Sequence, residues 1–145
     1  MDPFYREFEL LKPVSDYFTT RGYTVVQEVN IGYCRADLVA FKNAAVTAIE
    51  LKLHDRKKAV VQAKNYQLGA DYVYLAFPLF NSYSLLRKSE SVLIKEGIGL
   101  LVVDECTCEV RKIIEAAPSA RKFTTMTLAE VQKQRMKRQS MMRFY

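Results

Sequence analysis

The chain has no tryptophan, one histidine, three cysteines, five glycines and four prolines among its 145 residues. Each scarcity removes a class of protein. With His54 as the sole imidazole, a multi-histidine metal site is excluded and a Ser-His-Asp triad has little to build on. An odd number of cysteines does not make a disulfide framework, and it points instead to a reducing, intracellular and hence cytoplasmic setting. Cys106 and Cys108 are poorly spaced for structural zinc. Together with Cys34 they are too few for a four-cysteine cluster, so the ordinary reading is three small, buried or half-buried side chains. No Gly-rich phosphate loop is present. No apolar run approaches the roughly 20 residues of a membrane span. The opening MDPFYREFE does not read as a secretory signal, so no membrane partner is expected.

What is present is an ordinary globular composition, 50% hydrophobic and 26% charged, in a chain long enough for one domain with a proper core. The net charge of +6 is unevenly spread. From Arg121 onward there are seven bases against the single acid Glu130, so the tail carries the whole excess and the first 120 residues are neutral. The expected division is a domain over 1–120 and a basic, helical segment over 121–145. A neutral body with a basic appendage suits a polyanion such as DNA, with Lys133, Arg135, Lys137 and Arg138 as candidate phosphate contacts. A solvated tail that aids solubility is the plainer alternative.

Periodicity gives the order of elements. Phe4, Phe8, Leu11, Val14 and Phe18 form one stripe of an amphipathic helix over 1–22, with Pro13 as a blemish. Strands are expected over 23–29, 35–42 and 45–53, with a turn at Asn30-Ile31-Gly32. A helix over 57–68 draws its core contacts from Val60, Val61 and Ala63. A strand over 71–77, a helix over 84–96, a near-continuous apolar strand over 98–104 and an edge strand over 107–115 follow. Thr127 could cap a last helix running towards Met142. The class is α/β, with a mixed central sheet flanked by helices.

The stretch RADLVAFKNAAVTAIELK, residues 35–52, holds charge where burial is expected. If Asn43-Ala44 is a two-residue hairpin turn, Lys42 pairs with Ala45, and counting back sets Asp37 opposite Glu50. Like charges directly opposite each other destabilise a sheet. Glu50 and Lys52 share a face, while Ile49, Leu51 and Leu53 point to the other. Two carboxylates and an ammonium so placed suit a divalent cation of the Mg2+ or Mn2+ kind, bound by hard oxygens of Asp37 and Glu50 with the Leu51 carbonyl as a third. Such an ion activates water and stabilises a phosphate oxyanion, with Lys52 assisting. An ordinary cross-strand ion-pair cluster would use the same residues.

Two neighbours extend the pattern. Glu7 falls inside the apolar stripe of the first helix, where a carboxylate needs a partner, whereas Glu9 falls on the solvent face. Gln62 and Tyr66, four apart, share a face of the helix after the hairpin and could hold a phosphate or a scissile strand. A surface glutamine and a half-buried tyrosine would be the default. His54 follows Lys52 closely enough to stand at the mouth of such a site, or it simply ends the strand.

Glu7, then Asp37, Glu50-Leu51-Lys52 and Gln62-x-x-x-Tyr66, in the order helix, strand, hairpin, helix, strand, resembles the PD-(D/E)XK or restriction-endonuclease-like nuclease superfamily. The resemblance covers about residues 5–77, and its small size is similar to archaeal Holliday-junction resolvases. The Gln-x-x-x-Tyr helix is similar to that of RecB-like members. The signature proline is replaced by Ala36. The resemblance implies an αβββαβ core and Mg2+- or Mn2+-dependent hydrolysis of DNA phosphodiester bonds. Its active site would be Glu7, Asp37, Glu50 and Lys52, with Gln62 and Tyr66 beside them. A structure-specific junction or repair nuclease would fit, and a junction resolvase would be a homodimer. The alternative is a nuclease fold kept without catalysis as a DNA-binding or assembly module.

Overall fold

The computed structural model describes residues 4, 6–31, 34–120 and 122. It is an α/β protein built on a six-stranded mixed sheet flanked by helices, with the strands in sequential order. The strands are β1 (Thr24–Ile31), β2 (Cys34–Lys42), β3 (Ala45–Leu51), β4 (Tyr72–Pro78), β5 (Gly99–Val103) and β6 (Val110–Ile114). The helices are α1 (Leu11–Thr19), α2 (Arg56–Tyr66) and α3 (Leu79–Glu96), and a 3-10 turn over Glu7–Leu10 leads into α1. Strands β1, β2 and β3 run antiparallel as a meander. Parallel pairing then joins β3 to β4 and β4 to β5, and β6 returns antiparallel.

Parallel neighbours need crossovers, and α2 and α3 supply them. Two successive crossovers of one hand, advancing in one direction, place their helices on the same face. That face is packed by Ala59, Val60, Ala63 and Tyr66 of α2 and by Leu85 and Leu93 of α3, over Val39, Val46, Ala48, Val73 and Leu100. The opposite face is covered by Leu10, Val14 and Phe18, over Leu38, Ile49, Leu51 and Tyr74. The central strands are buried on both sides, which is why their sequences are apolar almost throughout, with Thr47 and Glu50 of β3 as the exceptions. At Gly99 a Cβ would overlap the Tyr74 ring, so only glycine lets the tyrosine lie across β5.

Several boundaries differ from the periodicity. The first helical segment opens as a 3-10 turn, which rotates by about 120° per residue rather than 100°. That rotation carries Phe8 out of the expected stripe, leaving it 62% exposed, and buries Leu10 instead. The turn expected at Asn30-Ile31-Gly32 begins later, because buried Ile31 stays in β1 and pairs with Cys34. In α2 the buried face is Ala59, Val60, Ala63 and Tyr66, and Val61 points to solvent. Helix α3 starts at Leu79 rather than Ser84, since Pro78 leads directly into it and the Glu105 carboxylate accepts the Phe80 N–H at 2.8 Å. The edge strand is shorter than expected, Val110–Ile114. Among the described residues no helix is long and apolar enough to cross a membrane. The expected final helix and the candidate contacts Lys133, Arg135, Lys137 and Arg138 lie outside the described residues.

Candidate active site

Asn43 and Ala44 both have positive φ, 51° and 66°, and Lys42 pairs with Ala45 across them. This is the two-residue turn that the sequence suggests, with the twist that suits a hairpin. The register it sets continues through Ala40–Thr47 to Leu38–Ile49, where the pairing stops. Asp37 and Glu50 are therefore the first positions beyond the ladder, rather than a pair within it. The next hydrogen-bonded pair in this register would be Ala36 with Leu51. Instead the Leu51 N–H donates to Asp37 Oδ2 at 2.8 Å. A side-chain oxygen has taken the place of a backbone carbonyl, and β2 and β3 separate there.

The alternation of side chains along β2 breaks at the same residue. Ala36 packs in the cluster under α2, while Leu38, two positions on, packs in the opposite cluster. Regular pleating would put both on one side. Asp37 sits at the change of phase, so its carboxylate can reach sideways to the end of β3. On the other flank, Gln27 pairs with Leu38 and Val29 with Ala36, which leaves Glu28 facing Asp37 at the break in the β1–β2 ladder. Glu28 has φ of 53°, a left-handed conformation rare for this residue type within a strand. Nothing in the sequence signals this irregularity, because glutamate is not a residue that favours positive φ.

Glu50 is 3% exposed, at the end of β3 under α2. Its Oε2 lies 3.0 Å from the Tyr66 hydroxyl. That hydroxyl also donates to the Arg35 carbonyl at 2.8 Å. Tyr66 is wholly buried, so it positions Glu50 and the start of β2 and does not face solvent. Burial, a hydrogen bond donated to Asp37 and the nearby Asp37 charge together push the Glu50 carboxyl up to about 9. Tyr66 and Lys52 oppose that rise without cancelling it. The Tyr66 phenol is itself raised well above its ordinary range, first by burial and then by Glu50. Glu50 therefore keeps its proton beside Asp37 at neutral pH.

Lys52 leaves the strand and its side chain is only 12% exposed. Its backbone N–H is tied to the Ala76 carbonyl at 3.0 Å. Its ammonium lies 3.9 Å from Glu7 Oε2, and the same oxygen accepts the Leu53 N–H at 3.3 Å. Glu7 gets there because residues three apart eclipse in a 3-10 turn, which sets it above buried Leu10 at the end of the sheet. Glu7 thus reaches the lysine side of the site. Gln62, one turn before Tyr66, has its Oε1 buried with no hydrogen-bond partner among the described residues. Arg6, Glu7, Lys52, Leu53, His54, Asp55 and Lys58 line an open cleft of about 410 Å³. Arg6 and Lys58 carry no motif, and only the fold brings them beside Lys52.

Asp37, Glu50 and Lys52 are gathered at one end of the β2–β3 pair, with Tyr66 on Glu50, Glu7 on Lys52, and Gln62 one turn before Tyr66 on α2. The oxygens suit a small divalent cation. Two neighbouring carboxyl groups offer hard ligands once the Glu50 proton leaves. The Leu51 carbonyl is on the Asp37 side, since a strand residue turns its N–H and C=O the same way. The orphaned Gln62 oxygen could accept from a bound water. Among the described residues no three Asp, Glu, His or Cys side chains form a ready-made ligand group. The residues that could hold such an ion are the two carboxylates Asp37 and Glu50, with the Leu51 carbonyl and water as further oxygens. No protein-family model matches this chain, and a search of curated proteins likewise finds no match.

Proposed function

We propose that this chain is a metal-dependent nuclease that hydrolyses DNA phosphodiester bonds, built on a restriction-endonuclease-like αβββαβ core. The observation that supports it most is the replacement of a ladder carbonyl by the Asp37 carboxylate, next to buried, protonated Glu50. A structural ion pair has no use for two acids pressed together out of water, where burial is unfavourable for each charge. Mg2+ or Mn2+ held by Asp37, Glu50 and the Leu51 carbonyl would supply Lewis-acid stabilisation and a more acidic bound water.

The chain's own groups have distinct tasks. The Leu51 N–H fixes one oxygen of Asp37, and Tyr66 fixes Oε2 of Glu50, so both carboxylates are oriented before anything binds. Glu7 steers the Lys52 ammonium, whose charge acts on Glu50, towards the cleft, where a phosphodiester would develop negative charge. Arg6 and Lys58 add positive charge to the walls that would bind the flanking backbone. The basic residues beyond 120 would extend that attraction.

The test is cleavage of labelled single-stranded, duplex, flap and four-way-junction DNA with Mg2+ or Mn2+. Wild-type protein should cut at least one of these, and Glu50→Gln or Lys52→Met should not. Cutting that survives both variants, or excess chelator, would overturn the proposal. A second reading, a DNA-binding or assembly module on the same fold, draws on Glu7 being occupied with Lys52 and Leu53 rather than standing beside the two carboxylates. Binding of DNA without cleavage under any of these conditions would favour it.

A further inference from the structure

Beyond the cationic cleft, at the carboxyl ends of β4 and β5, lies a larger cavity of about 600 Å³. Its lining includes Phe4, Pro78, Leu79, Phe80 and Tyr83, and His54 lines both this cavity and the cleft that holds Lys52. Phe80 is 78% exposed and Tyr83 is 65% exposed. They stand three apart on α3, so both rings rise from one side of the helix. The platform is anchored at its base, where the Glu105 carboxylate accepts the Phe80 N–H at 2.8 Å. Asp104 is occupied as well, accepting the backbone N–H groups of Cys106 at 2.8 Å and Thr107 at 3.3 Å.

The two spaces differ in the chemistry they welcome. In the cleft the three bases Arg6, Lys52 and Lys58 outnumber the acids Glu7 and Asp55, which are engaged with Lys52 and with the Lys58 N–H, so the balance favours a phosphate. The cavity has a largely aromatic and apolar lining that also includes Asp104 and Glu105, which repels a phosphate and accepts a flat ring. A nucleotide has this same polarity, an anionic backbone joined to a planar base. Its size is that of an ordinary small-ligand pocket.

We propose that the cavity is a base-stacking site, in which an unpaired nucleobase lies on Phe80 and Tyr83 while its phosphate occupies the cleft beside Lys52. This deepens the nuclease reading and rests on it for the assignment of the phosphate. A base can enter only if it is out of a duplex stack, so the preferred substrate is a single strand, or a flap or junction with an unpaired nucleotide at the point of cleavage. Stacking is tolerant of sequence because every base offers a π-face.

The test measures binding apart from cleavage. Anisotropy of labelled oligothymidylate and of a blunt duplex of equal length is followed in chelator for wild type, Phe80→Ala, Tyr83→Ala, Phe80→Tyr and Tyr83→Phe. Both rings are exposed, so the alanine variants should keep the wild-type circular dichroism. Each alanine is expected to weaken single-strand binding on the order of 10-fold and leave the duplex unchanged, while the aromatic exchanges retain affinity. Unchanged single-strand affinity in both alanine variants, equal loss for single strand and duplex, or a wild type that prefers the duplex would each overturn the proposal. Cleavage with Mn2+ is assayed alongside. Ring-dependent binding without cleavage keeps the stacking site and overturns the nuclease reading; cleavage with ring-independent binding does the reverse.

Discussion

The Tyr66 hydroxyl lies between two acceptors, 2.8 Å from the Arg35 carbonyl and 3.0 Å from Glu50 Oε2, with one proton to give. A carbonyl cannot donate, so the phenol divides its one proton between the Arg35 carbonyl and Glu50 Oε2, and it is only a part-time donor to the Glu50 charge. Burial and Asp37, which push the Glu50 carboxyl up to about 9, agree with that arrangement.

The first prediction follows from linkage. Glu50 ionises near 4.5 when exposed and near 9 when folded, so across that window the folded state binds the extra proton. Stability is then fully present below the lower value and falls as pH rises towards the upper one, with a slope of up to ~1.4 kcal/mol per pH unit. Urea unfolding in chelator between pH 5 and pH 9 should show this decline, and Glu50→Gln should flatten it, because the amide stays neutral. A wild-type curve that rises with pH would contradict a protonated Glu50.

How much of this site was legible beforehand depends on what each feature rests on. The Asn43-Ala44 turn and its register follow from local chain chemistry, so Asp37 and Glu50 could be brought together by counting. Glu7 was visible as an acid on an apolar stripe, although the 3-10 turn that delivers it to Lys52 was not. The separation of β2 from β3 at Asp37, the left-handed Glu28 and the cleft walls Arg6 and Lys58 have no local signature. They arise from packing between elements far apart in the chain, to which a pattern of residues is blind.

On the proposed function, the Glu50 proton would make cation binding depend on pH. A divalent ion can occupy the Asp37–Glu50 pair only by displacing it, so affinity should rise as pH increases from 6 towards 9. Melting temperature measured with and without millimolar Mn2+ should show a shift that grows over this range, reaching about 2.7 kcal/mol of stabilisation where the ion exceeds its Kd about 100-fold. Asp37→Asn should abolish the shift. A shift independent of pH would place the ion elsewhere.

Lys52 and Glu7 should separate function from stability. The pair is 3.9 Å apart and Glu7 is nearly half exposed, so the ion pair itself contributes no more than about 1 kcal/mol. Lys52→Met should therefore leave the melting temperature within a few degrees of wild type while reducing cleavage on the order of 100-fold or more. Glu7→Gln keeps an acceptor for the Leu53 N–H but loses the charge that steers the ammonium. Its cleavage rate should fall less than that of Lys52→Met. Equal losses would assign Glu7 a place among the groups that touch the substrate.

At Gly99, a methyl group would overlap the Tyr74 ring and crowd the Ala116 backbone. Tyr74 accepts the Ala116 N–H through its hydroxyl, so the ring cannot move aside without breaking that bond. Gly99→Ala should destabilise the fold by about 1–3 kcal/mol, read from chemical denaturation. The double variant Gly99→Ala with Tyr74→Phe should lose less than the sum of the single changes, since the freed ring can shift.

The last prediction runs the other way. Ala44 holds φ of 66° in a turn whose second position strongly favours glycine, and a left-handed alanine is disfavoured by roughly 1–2 kcal/mol. Glycine loses part of that gain through its freer unfolded chain, so Ala44→Gly should stabilise the protein by about 1 kcal/mol. Ala44 is exposed, so no packing is lost. The turn also sets the register that delivers Asp37 and Glu50 to the same end of the sheet. A stiffer hold on that register should leave cation binding unchanged while the denaturation midpoint rises. Inserting one residue into the turn should do the opposite: a slip of one position would turn Glu50 to the other face of the sheet, and both the Mn2+ shift and the pH-dependent stability should vanish together.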